Sequence, residues 1–258
     1  MAAHSPLVLV YAALVGLIVG SYLNVLVHRL PSRKSTIWPR SRCPYCDGAI
    51  KARDNIPVLS FLLLKGRCRH CGAPISWRYP FIEGFMALAF VACILRFGLT
   101  AETLIAVVFV SLMVLLAAID LQHFLLPDSI TLTGLLVGLA LRAWHPYSSF
   151  MDSLVGAVIG AGLLILLINF WFWLRNEEGM GLGDVNMLAL IGAFLGWQGV
   201  LTTMFVAALT GALTGVALLL TGRVGLRSRL PFGVFLALGG LVSLFFRDFL
   251  ALYFNGLP

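Results

Sequence analysis

Charge is what this 258-residue sequence has least of: Asp, Glu, Lys and Arg together make up 11% of it. A water-soluble domain carries roughly 25%. That deficit, with 60% hydrophobic residues and a mean hydropathy of +0.97, excludes a soluble enzyme and marks an integral membrane protein. Acids are scarcer than bases, 11 against 18, so any carboxylate beside an apolar run calls for an explanation. Lys and Arg are missing from the first six residues, which argues against a cleavable signal peptide with a basic leading region. A retained helix over 7–27 with its N-terminus outside is expected instead. No internal repeat or low-complexity segment is visible, and no glycine-rich nucleotide fingerprint is present.

What is present is apolar length. Runs long enough for helices fall at about 7–27, 80–97, 101–119, 129–144, 152–174, 186–198, 200–221 and 231–254. Lipid offers no partner to free backbone groups, so spans must be helices or a closed barrel, and unbroken rather than alternating runs select helices. The expected fold is all-α and polytopic, with about eight transmembrane helices. The 186–198 run is shorter than the ~20 residues of a full crossing and could be half of a broken helix. Three regions are expected: a first helix (1–27), a cytoplasmic insertion (28–80) and a membrane-embedded core (81–258). Eleven of the eighteen Lys and Arg lie in 28–80. With that segment inside, alternation puts fifteen inside and leaves only Arg96, Arg142 and Arg247 outside. The net charge of +7 thus fits membrane topology, and no nucleic-acid partner is expected. Trp38, Trp77 and Tyr79 suit the interfacial aromatic belt.

The insertion carries Cys43-Pro-Tyr-Cys46 and Cys68-Arg-His-Cys71. Each C-x-x-C pair can grip a metal from one tight turn, and two pairs complete a tetrahedral zinc site. Four thiolates would close the coordination shell, so the metal is expected to be structural. A redox dithiol pair is the alternative, and a cytoplasmic location disfavours stable disulfides. Cys93, inside an apolar run, reads as a small buried hydrophobe.

Two aspartates carry the chemistry. Asp184 follows Gly181 and Gly183 in GMGLGDVN (179–186), and Asp120 ends an apolar run in AAIDLQHFLLPD (117–128). The topology above puts both at cytoplasmic helix ends. Asp120 sits where the helix dipole disfavours an anion, so a capping role does not account for it. Asp128, after Pro127, reads as an N-cap for a helix starting at Ser129. Paired across the fold, Asp120 and Asp184 could share one proton and activate water. Gly181 and Gly183 would let the backbone bend and a peptide approach; close helix packing is their alternative. A proton-coupled transporter using intramembrane acids is the rival function, although these acids lie at one face and not at midplane. A serine protease would need a Ser–His pair, and His123 and His145 fall on opposite sides.

These segments together resemble the type IV prepilin peptidases, a family of GxGD-type intramembrane aspartic proteases. GSYLNVLVHRLP (20–31), NIPVLSFLLLKGRCRHCGAPISWRYPFIE (55–83), AAIDLQHFLLPD, EGMGLGDVN and LPFGVFLALG (230–239) are similar to its motifs, in order, over almost the whole chain. The resemblance implies Asp120 and Asp184 as catalytic, and Cys43, Cys46, Cys68 and Cys71 as zinc ligands. It implies cleavage of type IV prepilins or type II secretion pseudopilins at the cytoplasmic face of a bacterial inner membrane. It further implies N-methylation of the new terminus from S-adenosylmethionine, an activity associated with the zinc-bearing domain. Asn186, where lysine is common, and Val234, where proline is usual, depart from the pattern. Asn24 and Glu83 are polar candidates for handling the methyl donor, with helix packing as the alternative for both.

Overall fold

The computed structural model describes residues 5–32, 34–36, 38, 41–144, 150–176, 181–222 and 230–246. Among these the chain is helical, with two isolated β-bridges and no strand. The helices are α1 (Pro6–Arg29), α2 (Leu59–Leu63), α3 (Arg78–Phe97), α4 (Ala101–His123), α5 (Asp128–Trp144), α6 (Phe150–Arg175), α7 (Leu182–Leu220) and α8 (Phe232–Phe245). Five of them are long and apolar enough to cross a membrane. The expected all-α, multi-pass architecture, with a cysteine-bearing insertion between the first two long helices, is what the chain adopts.

Helix ends run past the apolar segments. The first helix reaches Arg29 and the fourth reaches His123, because basic side chains suit the negative end of a helix. At the other end of α1, Pro6 occupies the first helical position and Ser5 Oγ accepts the Val8 N–H at 3.4 Å. Of the expected 231–254 run, residues 247–254 lie outside the described residues, as do Arg33, Arg40, Arg223, Arg227, Arg229 and Arg247.

The chain divides into two compact units, residues 1–111 and 112–258, with the division inside α4. Within the first, α1 packs on α3 through a G-x-x-x-G face. A Cβ on Gly16 would stand 2.6 Å from the Met86 carbonyl oxygen, and one on Gly20 would stand 2.7 Å from Glu83 Cα. Such faces let backbones touch where water supplies no hydrophobic drive. Asn24 adds a polar tie, its Nδ2 donating to the carbonyls of Gly20 (3.3 Å) and Tyr79 (3.2 Å). Asn24 thus fulfils the packing alternative.

In the second unit, the first half of α7 is the core. Val185 and Met187 through Gly196 are all buried. Gly156 and Gly160 of α6 bring that helix onto it, where a Cβ would meet the carbonyl oxygens of Gly192 and Leu188 at 2.5 Å. The helix breaks at Gly196 (φ 72°, ψ −178°), a conformation essentially confined to glycine. The break frees carbonyls on one side. Arg142, buried at 4% exposure, donates from Nε to the Phe194 carbonyl at 2.9 Å, placing a cation at the negative end of the half-helix. The Asp152 carboxylate packs directly on Gly196. The short 186–198 run is therefore half of a broken helix.

Candidate active site

Both candidate carboxylates belong to the second unit. Asp120 lies in the last turn of α4. The chain leaves that helix through Phe124, which takes the left-handed conformation (φ 51°) and donates its N–H to the Asp120 carbonyl at 2.8 Å. Glycine usually fills such a terminating position; a phenylalanine there is held by its surroundings. Residues 124–127 then carry buried Leu126 to the start of α5. Asp184 is the third residue of α7, and its N–H donates to the Gly181 carbonyl at 3.2 Å. Although 64 positions separate the two carboxylates, Leu126 links their surroundings, packing on Gly183 beside Asp184 and on Gly233 beside Asp120. Asp120 is 6% exposed. The amides of Gly233 and Val234, at the N-terminus of α8, face its carboxylate, yet Oδ2 has no hydrogen-bond partner.

Glycines set how closely this site packs. A Cβ on Gly183 would fall 2.8 Å from Leu126 Cβ, and one on Gly233 would fall 2.8 Å from Asp120 Oδ2. Gly183 is thus a close-packing glycine, which corrects the expectation of a tight bend. Gly181 is extended (φ −81°, ψ 151°), and a Cβ there would meet nothing nearer than 3.9 Å. Neither glycine requires a left-handed backbone. Gly179 and Met180 lie outside the described residues. Gly233 lies in LPFGVFLALG (230–239), a segment similar to a family motif, but nothing in that segment ties it to Asp120.

Asp128 also departs from expectation. It is the first residue of α5, and its Oδ1 accepts from Asn186 Nδ2 at 2.9 Å, across to α7. The acid expected to cap its own helix ties two helices instead.

In the first unit, Cys43, Cys46, Cys68 and Cys71 converge with all four sulfurs within 4.8 Å of one another. Cys43 Sγ and Cys71 Sγ stand 3.8 Å apart, the edge of a tetrahedron with metal–sulfur bonds of about 2.3 Å. The donor set fits a dication such as zinc. Each pair sits on its own turn, and the two turns have the same hydrogen-bond pattern. Cys43 N–H donates to the Gly48 carbonyl (3.0 Å) and Asp47 N–H to that of Cys43 (2.9 Å). Twenty-five positions on, Cys68 N–H donates to the Ala73 carbonyl (2.8 Å) and Gly72 N–H to that of Cys68 (2.9 Å). Bridges Arg42–Ala49 and Arg67–Pro74 close the two turns. R-C-x-x-C-x-x-x-I therefore recurs at 42–50 and 67–75, a short repeat that contradicts the reading of none. Amides of Cys71 and His70 pull the Cys68 thiol down to about 7. The Ala73 amide acts the same way on Cys71, but desolvation and the crowding of Cys46, Cys68 and Cys43 push it up to about 11. The four sulfurs together could hold a metal ion.

Beside this cluster lies a cavity of about 310 Å³, lined among others by Tyr45, Val58, Phe61, His70, Tyr79 and Glu83. Glu83 Oε2 accepts the Val58 N–H at 2.7 Å. Val58 is itself left-handed (φ 59°), an outlier for a β-branched residue. Of the two polar candidates, Glu83 faces a cavity.

Two family profiles match: the bacterial Peptidase A24 N-terminal domain over residues 14–97, and the type IV leader peptidase family over 107–216. A prepilin leader peptidase/N-methyltransferase of Burkholderia pseudomallei (strain 1026b) is 38% identical, covering 92% of this chain and 85% of the relative. Its namesake in Myxococcus xanthus (strain DK1622) is 44% identical over 86% of this chain and 67% of the relative. That of Aeromonas hydrophila is 38% identical, over 91% and 89%. No solved structure matches. With consecutive profiles over most of its length and relatives aligned over 86–92% of it, the chain belongs to the type IV leader peptidase family.

Proposed function

We propose that this chain is a prepilin leader peptidase that also N-methylates the terminus it creates. Its substrates are type IV prepilins or type II secretion pseudopilins, cut on the cytoplasmic side of the bacterial inner membrane. Asp120 and Asp184 are the catalytic pair. The observation that carries this reading is that Leu126 packs against both Gly183, the residue before Asp184, and Gly233, which lies against Asp120, so that one side chain links the surroundings of both carboxylates, one of which has a buried oxygen left unpartnered. Such an oxygen suits a shared proton or an attacking water. The ionised aspartate takes a proton from water, the hydroxyl adds to the scissile carbonyl carbon, and the neutral aspartate donates to the carbonyl oxygen. Collapse breaks the C–N bond, and the departing amine takes up the proton. Membership in a peptidase family favours this over the transporter alternative.

Zinc fits the four cysteines as a closed structural site that holds the two turns together. S-adenosylmethionine, when bound, supplies an electrophilic methyl group. The cavity above the cysteine cluster fits a ligand of that size. Glu83 offers a carboxylate for a cationic group, and Tyr45, Phe61 and Tyr79 offer aromatic walls. The positive-inside distribution supports an external N-terminus with both sites cytoplasmic.

Mass spectrometry of a prepilin incubated with the purified chain, with and without S-adenosylmethionine, tests the reading. Leader removal in both cases, plus one methyl group only with the donor, is expected. An intact prepilin would overturn it.

A further inference from the structure

We propose that Asn186 and Asp128 form a clip that sets the separation of the two catalytic carboxylates, which makes Asn186 a positioning residue for peptide cleavage. The inference rests on the peptidase reading for its consequence, but its geometry stands apart from it.

The clip has two points of attachment. Asn186 Nδ2 donates to Asp128 Oδ1 at 2.9 Å, joining residues 58 positions apart. Leu126 sits against Gly183, whose missing Cβ would fall 2.8 Å from Leu126 Cβ and 3.2 Å from its carbonyl oxygen. These contacts straddle Asp184 in sequence, one residue before it and two after. Leu126 Cδ1 also reaches Gly233, which lies against Asp120 Oδ2. The 124–127 connection, which begins one turn beyond Asp120, is thereby pinned to the first turn of α7, which carries Asp184. Four non-helical residues separate α4 from α5, and these pins fix that connection against the turn that carries Asp184.

The register explains why Asn186 positions rather than reacts. Residues two apart on a helix point about 200° from one another. Asn186 therefore holds the helix from the side opposite Asp184, and it needs no contact with substrate to do so. Its amide carries no net charge, so it steadies Asp184 without adding a cation beside it. Asp128 is exposed, and an exposed hydrogen bond contributes little to stability. Its effect falls on geometry.

The acceptor can be kept while the charge is removed. Asp128→Asn retains an oxygen for Asn186, so its kcat should stay within about threefold of wild type. Asp128→Ala and Asn186→Leu break the bond and should lower kcat about tenfold or more, with KM and melting temperature nearly unchanged. Asn186→Asp sets two carboxylates against each other and should lose as much. Combining it with Asp128→Asn restores a donor and an acceptor across the same gap and should recover kcat. Hydrogen exchange at the Ile130 and Thr131 amides, which donate to the Pro127 carbonyl, reports the clip without any substrate: it should rise in Asn186→Asp and return in the swapped pair. If Asn186→Leu fails to fold, this isosteric series still decides. An Asp128→Asn as inactive as Asp128→Ala, or a swap that recovers neither kcat nor protection, overturns the clip. A wild-type chain that leaves prepilin intact overturns the peptidase reading alone, because the exchange measurement still judges the clip.

Discussion

Gly233→Ala adds one methyl group at the point where α8 meets Asp120. Its Cβ would stand 2.8 Å from Asp120 Oδ2, 3.2 Å from Asp120 Cγ and 3.1 Å from Leu126 Cδ1. Ordinary contact begins at 3.4 Å, so the carboxylate or the helix must give by about 0.6 Å. Leu126 is wedged against Gly183 and has little room to yield, so Asp120 takes most of the displacement. Overpacking of this kind costs about 1–3 kcal/mol in stability. A 1 Å misplacement of reacting groups can cost about a hundredfold in rate, so a shift of this size should lower kcat roughly tenfold to fiftyfold. The assay is the initial rate of leader removal from a prepilin in detergent, with the melting temperature read in parallel. Gly162→Ala is the control: nothing lies within 4 Å of a Cβ there, so the same change in α6 should leave kcat intact. A Gly233→Ala enzyme with wild-type kcat would refute the claim that Asp120 is packed this tightly where it works.

Three further outcomes follow from the geometry. Gly196→Ala forces a side chain into a glycine-only conformation against Asp152 and should cost about 2 kcal/mol or more, seen as a lower melting temperature; an unchanged one would contradict the break described in α7. Purified chain should hold one zinc per molecule, lost on Cys43→Ser or Cys71→Ser. Because only thiolates bind, affinity should fall as acid protonates them, Cys71 before Cys68 since its thiol lies higher; metal analysis at stepped pH checks both, and metal retained by the Ser variants would count against the site. Glu83→Gln should weaken methylation and direct binding of S-adenosylmethionine by calorimetry while leaving leader removal alone, and equal binding by both proteins would remove Glu83 from the donor site.

The sequence was most readable where physics is local. Apolar runs marked every long helix, and the shortness of 186–198 anticipated the break at Gly196. Helix ends were less legible because Arg29 and His123 extend the helices beyond what hydropathy registers. The two aspartates were found by their oddity, a scarce acid at a helix terminus that does not favour it. Contacts that join distant segments left no such trace. No period in the chain ties Asn186 to Asp128, or Gly233 to Asp120, and Asp128 after a proline looked like an ordinary cap. Gly183 looked like a bending glycine because its partner, Leu126, lies 57 positions away. The repeat at 42–50 and 67–75 is legible in the sequence once the arginine and isoleucine that flank each cysteine pair are aligned. Val58 gave no signal at all, since the Glu83 carboxylate that holds its N–H lies 25 positions away.

The meeting of Asp120 and Asp184 is the claim on which the rest depends. Asp120→Asn and Asp184→Asn change shape hardly at all and remove one carboxylate each, so each should abolish leader removal while the protein keeps its fold, its zinc and its ability to methylate a pilin supplied already cleaved. Normal cleavage by either variant would contradict a shared dyad, and with it the functional reading of the site.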